Sequence, residues 1–180
     1  MRRILFLLFF LISSSVNAQA LTVECGLLLR NEILADPQLV SQPMNSDGDF
    51  AIAAILNMPA VPQYVGWRTS VTMNEIGKAI NGAELAGLTT ANNTRLQTIV
   101  LISGGFINPQ LADQRAFFDD VFSGAGGTVT RSNLASLWRR GATRAEKVCA
   151  TGLGTSVSPS TFSFEGFLST QQVSVIRTLQ

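Results

Sequence analysis

Cys25 and Cys149 are the two thiols of a 180-residue chain that contains no histidine. The missing histidine removes the commonest general base, the commonest zinc ligand and the usual Ser-His-Asp arrangement. Carboxylates, the thiols and serine hydroxyls are left, and each needs a partner in position. Asn45-Ser46-Asp47-Gly48-Asp49-Phe50 has the glycine turn of a calcium loop. Setting Gly48 on that loop's glycine puts Pro43 at the first ligand position and Ala54 at the last, where a bidentate glutamate belongs, so the match fails at both ends. The segment reads as a helix cap. Asp119 and Asp120 are adjacent and point about 100° apart on a helix. Asp113 and Asp120 share a face among ordinary surface residues, whereas glycosidase chemistry needs two carboxyls facing across a cleft. Gly124-Ala125-Gly126-Gly127-Thr128 lacks the lysine of a phosphate-binding loop, and Ser156, Ser158 and Ser160 have no nearby base. The expectation is a protein that is not an enzyme and uses no cofactor or metal.

The thiols gain meaning from the start of the chain. Arg2 and Arg3 precede an unbroken apolar run from Ile4 to Ile12, followed by Ser13-Ser14-Ser15-Val16-Asn17 and Ala18-Gln19-Ala20. A basic start, an apolar middle and a small-residue cleavage site describe a secretory signal peptide over residues 1–20. Counted to Val16 the run is about thirteen residues, short of the roughly 20 that a membrane-crossing helix needs. Lipid attachment at Cys25 is disfavoured, because the bulky acidic Glu24 stands where a small residue belongs. The expected location is therefore periplasmic or extracellular, without stable membrane insertion after cleavage. In an oxidising compartment Cys25 and Cys149 either pair as one disulfide or pack as two separate buried thiols; the even count in an exported chain favours pairing. Loss of Arg2 and Arg3 leaves eleven basic against twelve acidic residues, which gives no general attraction to nucleic acid.

The elements that must position these residues are short helices. Cys25, Leu28, Leu29 and Ile33 follow a helical period that Asp36-Pro37 ends. Ser46 with Asp49 resembles a helix start leading to Asn57. Residues 59–71, with Pro59, Pro62 and Gly66, read as an ordered loop or short extended piece. Thr72 with Glu75, Asn81 with Glu84 and Thr143 with Glu146 form capping boxes, in which two residues satisfy each other's free backbone N–H. Thr89 or Thr90 opens a longer helix closed by Gly104-Gly105, Asn108-Pro109 marks another start, and Thr130 begins the next. These add up to an all-α fold over residues 21–152, an irregular orthogonal bundle of about seven short helices. Residues 153–180 read as a Gly, Ser and Thr rich linker and a Phe-rich tail. Phe162, Phe164 and Phe167 lie in a strand or hairpin pattern there, ahead of a last helix begun by Ser169 with Gln172.

Two groups of side chains are candidates for contact. Tyr64, Trp67 and Arg68 could wall a pocket or cover the end of the bundle. Phe162, Phe164 and Phe167 need apolar surface to cover them, from this chain or from a partner. Arg139, Arg140, Arg144 and Lys147 form the one basic cluster, which reads as a solvated helix end.

In order along the chain, Leu29-Arg30-Asn31-Glu32-Ile33 with Asp36-Pro37, Gly48-Asp49, Ile55-Leu56-Asn57, Trp67-Arg68-Thr69, Phe122-Ser123-Gly124 and Ala142-Thr143-Arg144-Ala145-Glu146 resemble a group of small helical proteins encoded among tailed-phage and prophage structural genes. The likeness covers most of residues 27–168. It implies a non-enzymatic virion or tail-associated protein with no catalytic residues. The signal and Cys25 depart from that pattern, leaving a phage-derived envelope protein or a virion protein with an uncleaved apolar arm. The function expected is structural or interactive, with a protein partner or self-association. A periplasmic ligand- or peptide-binding module and a cell-wall-acting enzyme stand as alternatives.

Overall fold

Side-chain oxygens placed one residue ahead of an apolar period fix where most of the helices begin. In the computed structural model, which describes residues 21–180, Thr22 caps α1 (Val23–Ala35) by accepting the Cys25 N–H. The signal peptide expected at residues 1–20 lies outside the described residues. Asp36 then both ends α1 and starts a helix the sequence pattern did not suggest, α2 (Pro37–Val40), its carboxylate accepting the Gln38 N–H. Asn45, rather than Ser46, caps α3 (Ser46–Leu56) through the Gly48 N–H.

The expected capping boxes close at α4 (Met73–Ala79), with Thr72 and Glu75, and at α9 (Arg144–Val148), with Thr143 and Glu146. Ser169 and Gln172 close a third at α10 (Thr170–Thr178). Asn81 caps α5 (Gly82–Ala86), but Glu84 does not complete a box. Its carboxylate instead accepts the Val129 and Thr130 N–H groups, at 2.9 and 2.7 Å, at the start of α8 (Thr128–Leu137). Thr130 is therefore not a cap; its buried hydroxyl accepts the Asn81 N–H. Between these lie α6 (Thr90–Ile102), capped by Thr89, and α7 (Ala112–Val121). Asn108-Pro109 does not open α7: Asn108 accepts the Gln110 and Leu111 N–H groups in a turn, and Leu111 precedes the helix without a side-chain cap. Among the described residues there are ten α-helices and one 3-10 turn (Ala125–Gly127), against about seven expected. Of these, α2 is the helix whose start the sequence pattern did not mark.

Extended structure is not confined to the tail. β1 (Val65–Trp67) pairs antiparallel with β4 (Arg139–Gly141), β2 (Val71–Thr72) with β3 (Phe106–Ile107), and β5 (Ala150–Thr151) with β6 (Thr161–Phe162). The fold is mostly helical with three short ladders, rather than purely helical.

Apolar side chains gather into two cores. The first joins the two ends of the chain: Leu29, Leu39, Ile52 and Leu56 meet Ala145, Phe164, Leu168, Val173 and Ile176. Residues 153–180 thus pack on the helices, and Asn57 clamps the Leu168 backbone in both directions, at 2.9 and 2.8 Å. Cys25 and Cys149 form a disulfide inside this core, linking α1 to the end of α9. The second core is built from residues 71–138 around Phe118, Phe122, Leu134 and Trp138. Between the cores runs β1, hydrogen-bonded to β4 on one side and to Ser160 on the other.

Candidate interaction surface

Tyr64, Trp67 and Arg68, candidates for a pocket wall or a cover on the end of the bundle, are half-buried, and each has a partner within the chain. The Tyr64 hydroxyl donates to the Gly152 carbonyl at 3.0 Å and accepts from the Ser160 hydroxyl at 2.7 Å. Trp67 lies under two guanidiniums, Arg115 at 4.0 Å and Arg139 at 5.6 Å from the ring centre. Burial pushes the Arg115 guanidinium below its ordinary pKa, which makes the aromatic face a useful neighbour for the cation. Arg68 pairs with Glu75 at 2.8 Å. These three residues form the seam between the two cores.

The phenylalanine tail corrects another expectation. Phe162 and Phe164 are buried, so neither offers a docking surface in the isolated chain. The outer end of the Phe162 ring abuts Gly66 of β1, where any Cβ would fall 2.0 Å from its Cζ, and Arg140 sits 4.6 Å from the ring centre. Glycine at residue 66 is thus required by the close approach, not by a turn. Phe164 enters the first core. Phe167 alone projects, 75% exposed.

Two of the four residues of the basic cluster, Arg140 and Arg144, are held by carboxylates. Arg140 reaches Glu146 at 2.7 Å and Glu165 at 2.9 Å, and Arg144 binds Glu32 and Asp36. Burial alone would raise the Glu146 pKa, yet the Arg140 hydrogen bonds and the backbone N–H groups of Gly166 and Thr143 outweigh it, and the carboxyl ends below its ordinary value. Asp36 is lowered chiefly by the Arg144 hydrogen bond and then by the Gln38 N–H. Asp49, at the calcium-like turn, pairs instead with Arg177 at 2.7 Å, and both are nearly buried. The Arg177 guanidinium also donates to the Gln42 and Pro43 carbonyls, each at 2.9 Å.

Two shallow grooves follow from this packing. One of about 610 Å³ lies between α3 and α10, with Met44 and Gln171 on its walls beside Arg177. The other, about 470 Å³, lies beside Met58, Val61 and Arg144. The guanidinium in each is already satisfied by the chain's own acceptors, while the Lys147 ammonium also lines the second groove. Among the described residues no three His, Cys, Asp or Glu side chains gather in a metal-holding group, and no helix is long and apolar enough to cross a membrane.

The surface that stands out was absent from the sequence expectations. α6 buries Leu96 and leaves its last turn outward, with Leu101 82% and Ile102 72% exposed. Ser103-Gly104-Gly105 turns the chain, with both glycines in left-handed conformations, and Phe106 follows at 58% exposure. Val100 and Leu111, close by in sequence, are exposed as well. β3 is anchored below it: Ile107 is buried against Val71 in the second core, so Phe106, on the alternate face, must point out. Scattered exposed apolar residues are normal, but several within a dozen positions form a patch of the kind that marks interaction sites. The signal in the sequence was the run Ile99-Val100-Leu101-Ile102, too long for one helical face. No protein-family model matches this chain, and no curated protein or solved structure matches it either.

Proposed function

We propose that this chain is an exported, non-catalytic interaction protein that docks on a protein partner through the apolar tip of α6 and β3. The observation that carries this reading is the tip itself. Leu101, Ile102 and Phe106 cost solvation in the isolated chain and fill no core. Export is supported by the order of charges, apolar residues and small residues over residues 1–20, and by the disulfide, a bond characteristic of oxidising compartments. Descent from tailed-phage structural genes is part of the same proposal. It rests on the ordered likeness from Leu29 to Glu146.

The test is to express the full chain in a Gram-negative host, fractionate the cells, and take the intact mass with and without reductant. A periplasmic product starting at Leu21, two daltons lighter before reduction, is the expected result. Uncleaved cytoplasmic protein with free thiols would overturn the export half of the proposal and favour a virion protein with an apolar arm. Photo-crosslinking from residue 106 in the same cells tests docking, which is abandoned if no protein is captured there.

A further inference from the structure

We infer that Arg115 and Arg139, gathered on Trp67, form a site for an oxyanion, a phosphate or carboxylate group that accepts from both guanidiniums. The two cations share one indole, with Arg115 at 4.0 Å and Arg139 at 5.6 Å from its centre. Every Asp and Glu of the chain lies among the described residues, yet none comes within ion-pair distance of either arginine. Their neighbours in the chain differ. Arg68, next to Trp67, holds Glu75 at 2.8 Å, and Arg140, next to Arg139, holds Glu146 at 2.7 Å. The Arg139 Nε is moreover buried and finds no acceptor among the described residues. A buried N–H left without an acceptor is costly, and folded chains pair nearly all of them. Trp67, Arg115 and Arg139 are each half-buried, so a small anion can reach them from solvent.

The pleat of the β1–β4 ladder isolates Arg139 from the nearby carboxylates. Trp67 and Arg139 are register partners, so their side chains share one face. Gly66 and Arg140, the next pair, face the other way, toward Phe162, Glu146 and Glu165. On the Trp67 face the second guanidinium arrives from α7. Asp113 and Asp119 of that helix act on Arg115 through their fields alone. The Pro109 carbonyl accepts one Arg115 N–H and fixes the guanidinium over the ring. A guanidinium laid on an aromatic face keeps its N–H edge for other partners, and that planar fork matches the oxygens of carboxylate and phosphate. Because the indole already orders the side chain, little freedom is lost when an anion binds. The anion would also relieve the repulsion between two like charges on one ring.

The experiment uses protein purified after expression of the full chain with nitrogen-15 arginine, and follows the Nε–H cross-peaks by nuclear magnetic resonance. Inorganic phosphate is added at constant ionic strength. The Arg115 and Arg139 signals are expected to shift together and saturate. Arg30, whose Nε is likewise buried without an acceptor but which lies on no aromatic ring among the described residues, should stay in place. A second titration uses a short peptide with a free C-terminal carboxylate, and a third uses the same peptide amidated. Saturation by phosphate and not by the free peptide assigns the site to phosphate groups. Saturation by the free peptide, but by neither phosphate nor the amide, assigns it to carboxylates. Arg139→Gln should weaken the saturable binding by about tenfold or more, and Arg30→Gln should leave it as in the wild type. If Arg139→Gln does not fold, the wild-type titration still decides, because it reads both arginines directly. The inference is overturned if no probe saturates the Arg139 signal, if Arg30 shifts in parallel with it, or if folded Arg139→Gln binds as well as the wild type.

Discussion

The core made from the two ends of the chain is tied by a disulfide and long-range ion pairs, whereas the core made from residues 71–138 is joined by apolar packing and by hydrogen bonds such as those of Glu84 to the Val129 and Thr130 N–H groups. In the first, the Cys25–Cys149 disulfide, the Arg144 bridges to Glu32 and Asp36 and the Asp49–Arg177 pair all join segments more than a hundred residues apart. In the second, Arg95–Asp120 is exposed at the surface and Arg68–Glu75 is local. Phe118 touches Phe117 edge-on and tilts against Trp138, at centre distances of 5.3 and 5.5 Å. The difference teaches where the fold needs help. Joining distant ends costs loop-closure entropy that a local core does not face. The links therefore accumulate on the terminal half, and the central half keeps an apolar tip free.

The largest expected effect comes from cutting the strongest link. A disulfide spanning 124 residues contributes about 4 to 5 kcal/mol in the chain-entropy account, and less where the unfolded chain keeps structure. Cys25→Ser with Cys149→Ser should therefore destabilise the terminal half by about 3 to 4 kcal/mol. Both tryptophans contact the central core, so urea unfolding followed by tryptophan fluorescence reports that half, while circular dichroism reports both. In the double variant the dichroism should fall at lower urea than the fluorescence. If the two signals move together, the halves are one cooperative unit and the comparison is broken.

Next is the seam. Glu146 is buried, closes the α9 capping box, pairs with Arg140 and accepts the Gly166 N–H at 2.9 Å. Glu146→Ala leaves Arg140 with only Glu165 and should cost about 3 kcal/mol in urea or thermal unfolding. Glu75 does the corresponding job in the central half, but it is a third exposed and its partner Arg68 is local. Glu75→Ala should cost only about 1 kcal/mol, after allowance for solvent screening. A Glu75 effect as large as that of Glu146 would contradict the claim that ionic links matter less in the central half.

Acid sharpens the same point. The Thr72 N–H and then the Arg68 guanidinium lower the Glu75 carboxyl from its ordinary 4.5 to about 2. A carboxyl depressed in the folded state adds stability that is fully present above the unfolded value and is lost as pH falls through the folded one. Glu75 should thus stabilise the protein above pH 4.5 and cease to do so as pH approaches 2. The thermal midpoint of Glu75→Gln should differ from wild type above this window and converge with it at the acid end. A constant difference would mean the residue acts by capping geometry alone.

Local signals were legible where the chemistry is local. Thr72 with Glu75, Thr143 with Glu146 and Ser169 with Gln172 could be read because each box closes within three residues. Glu84 could not, because its acceptor is used by residues 129 and 130. Pairing of β1 with β4 joins residues 65–67 to residues 139–141, and nothing at either segment announces the other. The burial of Phe162 required Gly66, a distant glycine whose missing side chain makes the room. The apolar tip escaped notice because an uninterrupted apolar run reads the same whether it enters a core or leaves one.

The smallest expected effect bears most directly on function. Leu101→Glu and Ile102→Glu replace side chains that touch no core, so folding stability of the single chain should change by less than about 0.5 kcal/mol in urea unfolding. A loss of about 2 kcal/mol or more would mean these residues pack within the chain after all. The tip would then belong to the fold. If stability is unchanged while crosslinking from residue 106 is lost, the apolar residues serve docking and not folding. That outcome would complete the contrast: links inside the terminal half hold the chain together, and the open end of the central half is left for a partner.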